Sequence, residues 1–189
     1  MKKIFLFAVL LILSQSPFAQ VLKVSLAKLK PFIPAGYSVL ANETGDLNHD
    51  NYADVILVLK YNHEADSDQA ARPLLILLGK PGGKLSLFAR NDSVVLCKAC
   101  GGVFGDPFDG IEIKGRYFTI DHYGGSRFKW TRMITFKYDP IKKDFILHKD
   151  AGVSFDDTLR GGKLTTEFYK KQTFDKLKFK DYKNGYNDE

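Results

Sequence analysis

Two five-residue blocks, 55–59 and 74–78, are apolar at every position, which is the length and pattern of buried strands. Elsewhere the pattern changes. Ile111, Ile113, Phe118 and Ile120 alternate with polar residues, as half-buried strands do. Near the start, Leu22, Leu26 and Leu29 are spaced by lysines at helical intervals, so 22–30 is expected to form one short amphipathic helix that Pro31 stops. Pro34, Ala35 and Gly36 read as a turn, 37–40 as a strand, and 55–61 as a strand rich in β-branched residues. The polar stretch 62–72 reads as a surface loop in which Glu64, Asp66 and Asp68 are solvated. Residues 74–78 and 85–89 flank a glycine-rich turn and form a hairpin. The Gly-, Asp- and Pro-rich stretch 101–110 bends sharply, and strands follow over 111–113, 117–122, 131–138 and 145–148, with Asp139-Pro140 as a hairpin turn. In 156–189 the apolar residues Phe168, Phe174, Leu177, Phe179 and Tyr182 are irregularly spaced, giving a final strand or two and then a loose end. The expected fold is mainly β: one antiparallel β-rich domain, partial propeller-like or sandwich-like, with a short N-terminal helix.

Between the strands at 37–40 and 55–61 lies the most distinctive chemistry. Asp46, Asn48, Asp50 and Asp54 place side-chain oxygens at positions 1, 3, 5 and 9 of a loop, with Tyr52 at position 7, where a backbone carbonyl is the usual donor. Hard cations such as Ca²⁺ take six to eight oxygens, and a chain that wraps an ion turns alternate positions inward. Three carboxylates this close repel one another unless a cation or solvation offsets them. An EF-hand is not the source, because it requires a helix on each side and Glu at position 12, where Leu57 stands.

The stretch Gly-Asp-x-Asn-x-Asp-x-Tyr-x-Asp resembles the FG-GAP or VCBS-type calcium loop over residues 45–58. The resemblance implies a loop between propeller-blade strands that binds one structural Ca²⁺ through Asp46, Asn48, Asp50 and Asp54, with the carbonyl of Tyr52. Asn51 stands where the family usually has Gly; Asn tolerates the left-handed backbone conformation better than most residues. One loop is present, whereas propellers repeat it in every blade. Segments 72–78, 97–111 and 122–126 also resemble small exported bacterial proteins of unassigned function.

The N-terminus changes the picture of where the chain works. Lys2 and Lys3 precede an apolar run, 4–13, too short to cross a bilayer, and 14–19 turn small and polar. This is the order of a cleaved export signal over 1–19, with Ala19 the last residue removed and a single domain over 20–189. No cysteine follows the apolar run, so a lipid anchor is not expected, nor is a transmembrane segment in the mature chain. The net charge of +6 falls to +4 when the two lysines leave. Lysines and acids alternate in the tail, which excludes a tracking surface for nucleic acid.

Export places Cys97 and Cys100 in an oxidising compartment, where a short-range disulfide is expected. Thiol exchange is the sharper alternative, but glycines follow the pair instead of the helix that lowers a thiol pKa. His122 adjoins Asp121, yet neighbours on a strand point to opposite faces, and no nucleophile motif accompanies them. Asp106 and Asp109 flank Pro107-Phe108 at a spacing common in turns. Tyr123, Arg127 and Trp130 surround a glycine-rich turn and are residue types that dominate interface energies, so they form a candidate binding surface. The expected function is an exported, Ca²⁺-binding, non-catalytic protein of the bacterial envelope, with a protein or envelope component as partner. Alternatives are an envelope enzyme (a hydrolase or a Cys97/Cys100 thiol oxidoreductase) and an inhibitor or immunity protein against a secreted toxin or lytic enzyme.

Overall fold

In the computed structural model, which describes residues 24–67, 70–156, 163–168 and 175–184, the chain folds into two antiparallel sheets, each a meander. The first has strands β1 (Tyr37–Gly45), β2 (Asp54–Tyr61), β3 (Arg72–Lys80) and β4 (Lys84–Val95), in that order. The second has β5 (Phe108–Lys114), β6 (Tyr117–Gly125), β7 (Phe128–Asp139), β8 (Asp144–Asp156) and β9 (Lys163–Phe168). The protein is thus a single, mainly β domain. The expected export signal over 1–19 lies outside the described residues.

Burial explains the two sequence patterns. Ile56, Val58, Leu74 and Ile76 face Phe118, Ile120, Ile134 and Phe136 in one core shared by both sheets, as a sandwich-like arrangement requires. Val55, Leu57, Leu59, Leu75 and Leu77 point the other way and are also buried, because Leu29, Phe32 and Ile33 cover that face of the first sheet. Strands β2 and β3 are therefore covered on both faces and need no polar alternation.

The N-terminal helix is shorter than expected. Helix α1 (Leu26–Leu29) passes into a 3-10 turn, Lys30–Phe32, that includes Pro31. A proline is accepted there because the first amides of a helical turn have no internal partner. The chain after the second sheet also differs from the expected loose end. Over 175–184, Phe179 and Tyr182 are fully buried in the shared core. Asn91 Nδ2 donates to the carbonyls of Phe179 at 2.7 Å and Tyr182 at 2.9 Å, so β4 holds this segment in place. Phe174 lies outside the described residues. Among the described residues, no helix is long and apolar enough to cross a membrane.

Candidate functional site

The acidic loop joins β1 to β2 as a hairpin, and its own carboxylates shape it. Leu47 is fully buried and pins the loop to the core. Asp54, also fully buried, accepts from the Leu47 amide at 2.9 Å and the Asn48 amide at 3.4 Å with Oδ2. Its Oδ1 accepts from the Gly79 amide at 2.8 Å, which ties the loop to β3. Gly79 is required here: a Cβ would sit 2.5 Å from the Ala53 carbonyl oxygen. Burial pushes the Asp54 carboxyl pKa up, against the three amides that lower it.

The remaining donors line the turn. Asp46 Oδ1 and Asn48 Oδ1 both accept from the Asp50 amide, at 3.1 and 3.0 Å. Asp46 Oδ2 accepts from Asn51 N at 3.0 Å, and Asp50 Oδ1 from Tyr52 N at 2.9 Å. Asn48 Nδ2 donates to Asp50 Oδ2 at 2.9 Å. His49 and Asn51 take left-handed φ values of 60° and 67°, alternating with the acidic positions. Among the described residues no Lys or Arg forms an ion pair with Asp46, Asp50 or Asp54. The donors are hard oxygens with uncompensated charge, which suits Ca²⁺ chemically. No three His, Cys, Asp or Glu side chains among the described residues converge as a metal-holding group, and Asp54 is committed to closing the loop.

At the opposite end of the second sheet, the β6–β7 hairpin docks on the cysteine loop. Cys97 and Cys100 are joined by a disulfide, and no free cysteine remains among the described residues. Gly102 pairs with Gly125, and the Val103 amide donates to the Gly125 carbonyl at 3.0 Å. The cysteine loop is clamped from below by Arg72, which is fully buried. Its Nη1 and Nη2 donate to the two oxygens of Asp106 at 2.6 Å, while Nε and Nη2 donate to Glu64 at 3.0 Å. Glu64 is therefore a buried partner rather than the solvated loop residue expected. Burial alone would raise the Asp106 pKa; the Arg72 guanidinium and the Phe108 amide outweigh it and hold that pKa below the usual carboxylate range.

This clamped end exposes large apolar side chains: Val103 (84 %), Phe128 (57 %), Phe104 (46 %) and Tyr123 (37 %). Phe104 packs on Tyr123 with centroids 5.3 Å apart, and Lys129 Nζ lies 6.0 Å from the Phe104 ring. Arg127 lies over Phe128 at 5.3 Å and reaches Asp156 at 3.5 Å. Tyr123 and Arg127 thus share the exposed hairpin end. Trp130 does not join them. It pairs with Gly124, one residue out of step with Tyr123, and so stands on the other sheet face, which Phe128, two residues before it on β7, shares. A Cβ on Gly124 would lie 2.6 Å from the indole. The sequence pattern missed Val103, Phe104 and Phe128, although each sits in or beside a glycine-rich turn.

His122 is 1 % exposed. Its Nε2 accepts from the Leu96 amide at 3.2 Å, while its buried Nδ1 has no partner among the described residues. Burial, then the nearby Arg132 and Arg72, pushes its pKa down to about 3, so the ring is neutral. Asp121 faces away on the outer side of β6, as adjacent strand positions must. Asp109 is exposed, whereas Asp106 is spent on Arg72.

No family model, curated protein or solved structure matches the chain.

Proposed function

We propose that the protein is an exported, non-catalytic binding protein of the bacterial envelope, whose partner is a protein seated on the end formed by the cysteine loop and the β6–β7 hairpin. The observation that carries this reading is the exposed contact of Phe104 with Tyr123, with Val103 beside Phe104 in the chain and Lys129 at the Phe104 ring. Contiguous apolar side chains with a polar rim mark interaction surfaces, and aromatic and Arg residues supply most of their energy. The disulfide and the Arg72–Asp106 clamp hold the loop before binding, which lowers the entropy lost on association.

Export is supported by the charged, apolar, then small order of residues 1–19 and by the disulfide, since such bonds persist in oxidising compartments. The acidic loop is assigned one structural Ca²⁺, held by Asp46, Asn48, Asp50 and the Tyr52 carbonyl, with Asp54 as the remaining donor and the loop's anchor. The resemblance of 45–58 to calcium loops and the uncompensated carboxylates support that assignment. The experiment is capture from envelope extract by the immobilised protein, in Ca²⁺ and in chelator, with Phe104→Ser and Tyr123→Ala as variants. A captured partner lost in both variants, at unchanged melting temperature, is the expected result. Equal capture by wild type and variants would place the interface elsewhere.

A further inference from the structure

The outer face of the second sheet carries a cleft that the reading above does not use. Its position follows from register. Lys114, Tyr117 and Lys137 stand in one row across β5, β6 and β7, and Glu112, Thr119 and Thr135 in the next row on the same face. Phe118, Ile120, Ile134 and Phe136 point the other way into the core, so these two rows face outward. The β5–β6 turn adds Gly115 and Arg116, and His49 of the acidic loop reaches over from the first sheet. Together they line an open cleft of about 560 Å³. Clefts of about 300–1,000 Å³ are the usual size for small-molecule sites.

The charge in this cleft is unbalanced. Lys114, Arg116 and Lys137 line it, against one carboxylate, Glu112. None of the three cations forms an ion pair among the described residues. The contrast with the other described arginines is specific. Arg72, Arg90, Arg127 and Arg132 each hold a carboxylate, whereas among the described residues Arg116 holds none and its buried Nε has no acceptor. A buried guanidinium N–H without an acceptor is costly, and a planar fork of donors matches a carboxylate or phosphate.

The cleft also offers more than charge. Lys137 Nζ lies 5.3 Å from the centre of the Tyr117 ring, so an aromatic surface adjoins the cations. The hydroxyls of Thr119 and Thr135 are 2.9 Å apart and share one hydrogen bond. One hydroxyl proton is used between them, and the other is left to donate to a ligand. The Arg116 carbonyl accepts from the Tyr138 amide at 2.8 Å, which holds the turn that presents the guanidinium.

We propose that this cleft binds a small organic oxyanion, a carboxylate or phosphate on an apolar or aromatic body, with its charged group on Arg116 and Lys137 and its body against Tyr117. The site is separate from the exposed aromatic end and stands or falls independently of it.

The test is a titration of the full mature chain, followed by amide NMR shifts, with phenyl phosphate, benzoate and inorganic phosphate as probes. Saturable shifts at Gly115, Arg116, Thr119 and Lys137 are expected with at least one aryl probe, and that probe identifies the charged group. The aryl probe should bind more tightly than inorganic phosphate. Arg116→Gln should weaken it about tenfold, the loss expected for one charge-assisted hydrogen-bonding partner. Lys84→Gln, an exposed lysine outside the cleft, should leave it unchanged. If Arg116→Gln melts early, the double variant Lys114→Gln/Lys137→Gln replaces it, with the same loss expected. Absence of saturable shifts with every probe at millimolar concentration overturns the proposal. So does binding that survives the cleft variants, or that Lys84→Gln weakens equally, because either would report a diffuse surface field.

Discussion

Arg72 and Asp106 meet through two hydrogen bonds of 2.6 Å, which fix the cysteine loop to the start of β3. Arg72 is fully buried and Asp106 is 38 % exposed, so the pair spans the step from core to surface. The same guanidinium holds Glu64. Two carboxylates on one buried arginine leave no spare charge on it once either is removed, but removing the arginine strands both acids.

Arg72→Ala should therefore cost about 3–5 kcal/mol, the usual penalty for leaving buried partners unpaired. Asp106→Asn should cost less, because Asp106 is partly solvated and Glu64 remains. Urea denaturation measures the first effect. Amide exchange at Val103 and Gly105 measures the second, and it should accelerate in Asp106→Asn before global stability changes much. Slow, unchanged exchange there would separate the clamp from the loop.

His122 makes stability depend on pH. Its folded pKa, about 3, lies below the ordinary 6.5, so the unfolded chain binds a proton that the folded chain refuses. Its contribution is complete above pH 6.5 and is lost as pH falls from there toward 3. The slope approaches roughly 1.4 kcal/mol per pH unit for one such group. Asp106, with its pKa lowered, also loses stability in acid, but below its ordinary 3.8. Asp54, with its pKa raised, acts in the opposite sense as pH rises through its folded value. His122→Gln does not titrate and keeps an acceptor for the Leu96 amide. The difference in urea midpoint between wild type and His122→Gln should widen from pH 6.5 to pH 4.5 with the wild type falling faster. Parallel curves would show that the ring is protonated in the fold.

The apolar blocks 55–59 and 74–78 were legible because burial on both faces leaves a signal in consecutive residues. The acidic loop was legible for a similar reason, since its donors lie within nine residues. Arg72 and Glu64 were not, because a buried ion pair and a solvated one look alike until the fold joins residues eight apart around a 3-10 turn. Phe179 and Tyr182 gave no periodic signal because they plug a core built by other strands. The side of the sheet on which Trp130 stands depends on pairing with Gly124, and no local pattern sets that register. The extra residues at the ends of β1, β7 and β8 are polar or mixed in character, so the alternation fades before the hydrogen-bonded ladder does.

Ca²⁺ should bind once per chain and raise the melting temperature. At a concentration of 100 times Kd the stabilisation is about 2.7 kcal/mol. Asp50→Ala should abolish the heat of binding in calorimetry with little change in the stability of the metal-free protein. Asp54→Ala should behave differently. It strands the Leu47 and Gly79 amides, each at about 1–3 kcal/mol, with or without the metal. Mg²⁺ should compete poorly, because it demands tight octahedral geometry and keeps its waters. No heat and no thermal shift at millimolar Ca²⁺ would remove the metal from the proposal.

The exposed aromatic end separates interface from core within one hairpin. Tyr123 and Phe104 touch each other at the surface, so Tyr123→Ala and Phe104→Ser should remove partner binding while leaving folding nearly unchanged. Loss of one central aromatic anchor is worth about 2 kcal/mol or more, a roughly thirtyfold weakening. Trp130→Ala should do the reverse. The indole fills the space above Gly124, where the cysteine loop and β6 meet, so its removal leaves a cavity and lowers the melting temperature. Arg127→Ala should lie between the two, because Arg127 covers Phe128 and also reaches Asp156. Reduction of the Cys97–Cys100 bridge should weaken binding by loosening the loop that carries Phe104, while the Arg72 clamp keeps the sheets folded. Titration of the captured partner against each variant, paired with its melting curve, decides between the roles. If Trp130→Ala retains its melting temperature and loses binding, the interface runs onto the other face of the sheet.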